Sequence, residues 1–232
     1  MQNKEGEPVK RPHYPLIIAA CALVGLIPIM IGVGTNAAWI HTIDQSVINV
    51  ITAHRPDWLT TIVLFITSLG NPPVVVFFGL VLVGILFYFR RRRYAWFAAV
   101  SVVLLSFVNT SVKHLFLRQR PFVQNPNIHP LTLAGGYSFP SGHASGAMLL
   151  YGTVILLTLT LITLPWLRRL LVSYSAVMIG LIGLSRIYVQ VHFPTDVLAG
   201  WLEALVGLML VWWLMYPWLT EVGPTGWVND QK

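Results

Sequence analysis

Six stretches of this chain are apolar for about the length a bilayer demands. They run over about 16–34, 73–89, 94–112, 144–164, 170–188 and 197–216. A hydrocarbon core about 30 Å thick needs roughly 20 apolar residues at helical rise. Composition agrees: the chain is 56% hydrophobic and 10% charged, with a mean hydropathy of +0.70. A soluble domain carries about 25% charged residues. The sequence therefore predicts an all-α, polytopic membrane protein. Its six helices form one bundle, a single membrane-embedded domain over residues 1–232. The first run follows Lys4, Lys10 and Arg11, as a signal peptide would. Its 19 residues exceed the usual apolar region of about 7–15, so it reads as a retained first span. A single cysteine, Cys21, excludes an internal disulfide.

The net charge of +7 raises the question of nucleic acid, and the placement of the charges answers it. Arg90 to Arg93 form one block and Arg168 with Arg169 another, each between apolar runs, where topology signals belong. Neither reads as a nucleic-acid site. With six crossings, ten Lys/Arg fall on the side of the termini (4, 10, 11, 90–93, 168, 169 and 232) and five on the other (55, 113, 118, 120 and 186). The positive-inside rule then places both termini in the cytoplasm of a cell membrane. Residues 36–70 lie outside, with Ile40, Ile43, Val47, Ile48 and Ile51 at near-helical spacing around Asp44. They read as one or two amphipathic helices along the interface. Asn71-Pro72-Pro73 closes that segment and starts the second span, against a single span over 58–89. The Pro- and Gly-rich loop over about 121–140 is also extracytoplasmic.

Three polar clusters remain, and this topology puts all three at extracytoplasmic helix ends. They are "KHLFLRQRP" from Lys113 to Pro121, "PSGH" from Pro140 to His143, and "SRIYVQVHFPTD" from Ser185 to Asp196. Ionisable groups at the membrane edge are costly and default to function. If the third span continues as a helix, Lys113 and Arg120 lie two turns apart on one face, Arg118 points elsewhere and Pro121 ends the helix. With Arg186 they make three cations that an anion would join, and a phosphate suits them. Ser141 fits the N-cap of the fourth span, with Gly142 and His143 in its first turn. Free N–H groups at such a terminus also cradle an anion. His192 and Asp196 are four apart around Pro194. A carboxylate holding one ring N–H makes the other nitrogen the better nucleophile, and His143 is free for acid–base work. The residues alone leave open which histidine attacks.

This set resembles the type 2 phosphatidic acid phosphatase superfamily, in its bacterial membrane branch. The three motifs of that family, K-x6-R-P, P-S-G-H and S-R-x5-H-x3-D, occur in order: Lys113…Arg120-Pro121, Pro140 to His143, and Ser185-Arg186…His192…Asp196. The resemblance implies a lipid-phosphate phosphatase with a phosphohistidine intermediate on His192, which Asp196 orients. His143 would protonate the leaving oxygen and then activate water. Lys113, Arg120, Ser141, Gly142 and Arg186 would hold the phosphoryl oxygens. No metal and no cofactor are implied. Phosphatidylglycerol phosphate and undecaprenyl pyrophosphate lead as substrates, with phosphatidic acid third. A lipid phosphotransferase and an anionic-lipid transporter remain as alternatives, and oligomeric state is not legible.

The other polar and aromatic residues take plainer readings. His114 and Arg118 flank the motif lysine and read as solvated or headgroup-facing, with substrate contact the alternative, and His129 reads the same way, with a place at the site entrance the alternative. Tyr137 and Phe139, with Trp39, Trp58, Trp166, Trp201, Trp212, Trp213 and Trp218, read as interfacial aromatics. Glu203, seven residues past Asp196, either sits below the site on the same face, linked to a proton path or to the cations above it, or is a packed, protonated carboxyl.

Overall fold

The computed structural model describes residues 10–220, so Lys4, Lys232 and the placement of both termini lie outside the described residues. Every regular element among them is helical. In chain order these are α1 (Tyr14–Gly34), α2 (Ala38–Thr52), α3 (Asp57–Ser68), α4 (Pro72–Tyr88), α5 (Arg92–Ala99), a π-helical turn (Val100–Leu104), α6 (Leu105–Phe116), α7 (Pro121–Gln124), α8 (Gly142–Leu161), α9 (Pro165–Tyr188) and α10 (Pro194–Thr220).

Among the described residues, five stretches are long and apolar enough to cross a bilayer: α1, the run from Arg92 to Gln124, α8, α9 and α10. A sixth candidate is the pair α3 and α4, which reaches the length only together and is bent by 57° at the break between them; α4 itself has 17 residues. The bend falls where Asn71-Pro72-Pro73 was expected to separate an interfacial segment from the second span. Pro72 and Pro73 sit at the start of α4, where their missing N–H groups cost nothing. The interfacial segment resolves into two helices, α2 and α3. The fifth span begins at Pro165 rather than near 170, because the proline starts the helix and Arg168 and Arg169 ride its first turns.

Helices α1, α8, α9 and α10 form the heart of the bundle. Helix α8 packs against α9 and α10, and α1 lies along α10. In lipid the tails are as apolar as the side chains, so close packing rather than water exclusion holds helices together. Small residues make the approach possible. A Cβ at Gly183 would lie 2.1 Å from the Trp201 ring. One at Gly200 would lie 2.6 Å from the carbonyl oxygen of Ser141, so α10 touches the backbone at the start of α8. Trp212 departs from the interfacial expectation: it is 2% exposed, stacks edge-on against Phe97 at 5.1 Å, and donates to the Tyr14 hydroxyl at 2.7 Å. Trp201 likewise lies inward over Gly183, whereas Trp39, Trp58 and Trp166 stay exposed.

Helices start or stop at one end of the bundle so that the polar clusters meet there. The C-terminal ends of α6 and α9 and the N-terminal ends of α4, α8 and α10 share that end, and α2 packs over it against α9 and α10. The Arg90–Arg93 turn and Arg168 with Arg169 lie at the other. The 121–140 loop is pinned over the polar end by Leu131 N–H to the Val189 carbonyl (3.1 Å) and Ser138 N–H to the Arg118 carbonyl (2.7 Å).

Gly200 and Gly180 separate close contact from glycine content. Gly200→Ala is expected to lower the thermal midpoint in detergent, at a cost of about 1–3 kcal/mol. Gly180→Ala, with nothing within 4 Å of the new Cβ, should leave it unchanged or raise it.

Candidate active site

The site is built outward from His192 and Asp196. Pro194 opens α10, so Asp196 falls in its first turn and folds back under the preceding loop. His192 Nδ1 lies 3.5 Å from Asp196 Oδ2. The same oxygen accepts the Phe193 N–H at 2.8 Å and the Ser138 hydroxyl, while Oδ1 accepts Arg118 Nη1 at 2.6 Å. On the far side of the ring, His192 Nε2 is 3.2 Å from Arg120 Nη1. A guanidinium only donates, so Nε2 is the acceptor and the ring proton belongs on Nδ1, facing Asp196. His192 is 2% exposed. Burial pulls its pKa down to about 3, against the upward pull of the Asp196 carboxylate. The imidazole is therefore neutral near pH 7, with a lone pair on Nε2.

The first cluster departs from the helical expectation. Helix α6 ends at Phe116, and Leu117 adopts a left-handed φ of 51°. That residue ends the helix before Arg118, so Arg118 and Arg120 leave on a non-helical stretch. Pro121 starts the short α7 instead of ending a longer helix. Arg118 does not point elsewhere and does not face solvent. Its side chain is 8% exposed and bridges Asp196 and Asp44 at 2.6 Å each. Arg120 binds carbonyls of Gly135, Gly136 and Val191 as well as His192, so it draws the loop and the histidine together. Lys113 donates to the carbonyls of Tyr137 and Pro140.

The second cluster forms the predicted cap. Ser141 is the N-cap of α8, its Oγ accepting from Ala144 N–H at 3.5 Å. Its own N–H donates to the Asp196 carbonyl at 2.9 Å, which joins the starts of α8 and α10. Gly142 lies close to the first cluster: a Cβ there would be 3.8 Å from Lys113 Cε. His143 Nε2 lies 2.9 Å from Asn71 Oδ1, at the start of α4.

Arg186 supplies the third cation. Its Nη1 donates to Thr67 Oγ1 at 2.7 Å, its carbonyl accepts the His192 N–H at 3.3 Å, and its Nε is buried with no partner among the described residues. A cleft of about 190 Å³ runs from Lys113 and Gly142 past Asn109 and Ser145 toward Val75 and Val76 of α4. Asn109 donates to Glu203 at 3.1 Å, which places the carboxyl below the site, within electrostatic reach of Lys113.

The structure thus brings the three motif clusters to one end of the bundle, with Lys113 on Pro140, Ser141 on Asp196 and Arg120 on His192; the Ser185 hydroxyl bonds within its own helix, to the Ile182 carbonyl. His114 packs edge-on against Tyr137 and His129 is exposed. Phe139 is 1% exposed against Phe116, a core residue instead of an interfacial one. Sequence reasoning missed Asp44, Thr67, Asn71, Ser138 and Thr195. Asp44 did carry a signal, because it interrupts the apolar stripe of α2 between Ile40 and Ile48, all three of them buried.

The chain matches the PAP2 superfamily over residues 94–220, a stretch that contains all three clusters. This protein belongs to the PAP2 superfamily. It is 29% identical over 187 residues to phosphatidylglycerophosphatase B of Bacillus subtilis, covering 76% of this chain and 84% of that protein. It is 36% identical over 120 residues to the putative undecaprenyl-diphosphatase YbjG of Escherichia coli, covering 50% of this chain and 56% of that protein. The crystal structure of a transmembrane PAP2-type phosphatidylglycerolphosphate phosphatase from Bacillus subtilis superposes with a TM-score of 0.68 at 25% identity, covering 86% of this chain and 94% of that one.

Ser138 offers a direct check on this geometry. Ser138→Ala removes a hydrogen bond to a carboxylate worth about 1.5–3 kcal/mol. The expected result in a phosphate-release assay is a kcat lower by roughly 10- to 100-fold with KM little changed.

Proposed function

We propose that this protein is a lipid-phosphate phosphatase that works through a phosphohistidine on His192. The observation that carries the reading is the His192 ring. It is neutral and buried, its Nδ1 faces a carboxylate, and its Nε2 lone pair lies beside Arg120.

Nε2 attacks the terminal phosphorus, and the bond to the lipid oxygen breaks. His143 delivers a proton to that oxygen and the lipid alcohol leaves. Water then gives its proton to His143 and attacks the phosphohistidine, releasing inorganic phosphate and restoring the ring. Asp196 holds the Nδ1 proton and stabilises the charge that develops on the ring. The unpartnered Nε of Arg186, the third N–H of Lys113 and the Gly142 amide in the first turn of α8 are donors for the phosphoryl oxygens, with Ser141 fixing that helix start. Arg120 binds the phosphoryl group at the expense of part of its hold on the 135–136 carbonyls. The step needs no metal.

Sidedness follows from charge. Arg90 to Arg93 and Arg168 with Arg169 lie at the end of the bundle opposite the site, so the site faces away from the cytoplasm and both termini lie within it. We read residues 1–232 as one membrane-embedded unit. The cleft beside Lys113 passes from polar groups to the apolar face of α4, a path for a phosphate with a lipid tail. The 84% coverage of the phosphatidylglycerophosphatase favours phosphatidylglycerol phosphate, with undecaprenyl pyrophosphate next and phosphatidic acid third.

Purified protein in detergent should release phosphate from these lipids in the presence of EDTA. His192→Ala should lower the rate by roughly 10³-fold or more. Full activity of that variant would remove the histidine mechanism, and a requirement for added metal would remove the metal-free one.

A further inference from the structure

Asp44 lies on α2, outside the stretch that matches the superfamily, and is 2% exposed. A carboxylate on the buried face of an amphipathic helix is costly unless fully paired. Here it is. Its Oδ1 accepts the Thr195 N–H at 2.9 Å. Its Oδ2 accepts Thr195 Oγ1 at 3.0 Å and Arg118 Nη2 at 2.6 Å. Burial pushes the Asp44 carboxyl above its ordinary range, and Arg118 and the Thr195 amide pull it back. With three donors around it, the ionised form is the one the geometry fits.

The other arm of Arg118 reaches the reacting pair. Nη1 donates to Asp196 Oδ1 at 2.6 Å and to Thr195 Oγ1 at 2.8 Å, and the guanidinium lies 4.1 Å from the Phe193 ring. One cation is therefore shared between two buried carboxylates, and only one of these faces His192. We propose that Asp44 is a positioning residue for the reaction: by sharing Arg118 and holding Thr195, it sets how strongly Asp196 grips the Nδ1 proton of His192. The inference rests on His192 being the nucleophile.

Charge explains why the sharing matters. Asp44, Arg118 and Asp196 sum to −1. Asp44→Asn brings the sum to zero and leaves the guanidinium bearing on Asp196 alone, which weakens that carboxylate as an acceptor for the imidazole. Arg118→Gln brings it to −2 and leaves two buried carboxylates without the cation between them. The double variant returns to −1.

The test compares the two single variants, the double variant and His192→Ala in the same phosphate-release assay, with thermal midpoints in detergent. Asp44→Asn is expected to lower kcat by about 10- to 100-fold with KM within about twofold. The double variant should be faster than either single one. An unchanged kcat for Asp44→Asn, a change confined to KM, or a double variant that is not faster than both single variants would overturn the proposal and leave Asp44 a role in folding alone. If Asp44→Asn does not fold, Arg118→Lys replaces it under the same kcat and KM criteria, since an ammonium keeps the charge without the planar fork that spans both carboxylates. An active His192→Ala would instead remove the nucleophile on which the inference rests, whatever the Asp44 variants do.

Discussion

Asp196 is a carboxylate with no exposure to solvent, and much of the polar end of the bundle is organised to make that tolerable. A buried charge is costly unless its oxygens are fully paired. Four groups from three segments answer: Arg118 after α6, Ser138 from the long loop, and the Phe193 N–H and the His192 ring from the turn just before α10. Its backbone carbonyl takes a fifth, the N–H of Ser141. The three motif clusters are far apart along the chain, yet satisfying this one residue draws them to a common point.

The apolar spans and the polar site support each other. Close helix packing needs small residues, and Gly200 meets the backbone of Ser141 where α8 begins. That contact aligns the starts of α8 and α10, and therefore the Pro-Ser-Gly-His turn with the His192 loop. The cations are kept from repelling one another by carbonyl oxygens of the 135–140 loop, which Lys113 and Arg120 gather. A segment of chain with little regular structure becomes the wall of the site because those charges need it.

Much of this was legible from residue pattern. Runs of about 20 apolar residues gave the spans, and Asn71-Pro72-Pro73 marked the bend before α4. Serine before glycine and histidine marked the cap of α8, and the four-residue spacing of His192 and Asp196 marked the pair. What escaped was governed by backbone geometry or by tertiary contact. The helical extension from Lys113 to Arg120 failed because Leu117 turns left-handed, and nothing in a leucine announces that. Arg118 read as a surface charge because its partners, Asp44 and Asp196, are 74 and 78 residues away. Ser138 and Asn71 are ordinary loop residues until the fold sets them against Asp196 and His143. Trp212 read as an interfacial anchor because the sequence does not show that Phe97 and Tyr14 lie beside it.

In the proposed mechanism His192 carries the phosphoryl group during turnover. Rapid acid-free quenching of the purified protein with a lipid radiolabelled on its terminal phosphate, followed by peptide mapping, tests it most directly. The expected result is a base-stable, acid-labile label on the peptide that holds His192, forming and decaying at least as fast as turnover. A label on any other residue, or turnover through a burst phase with no protein-bound phosphate, would contradict it.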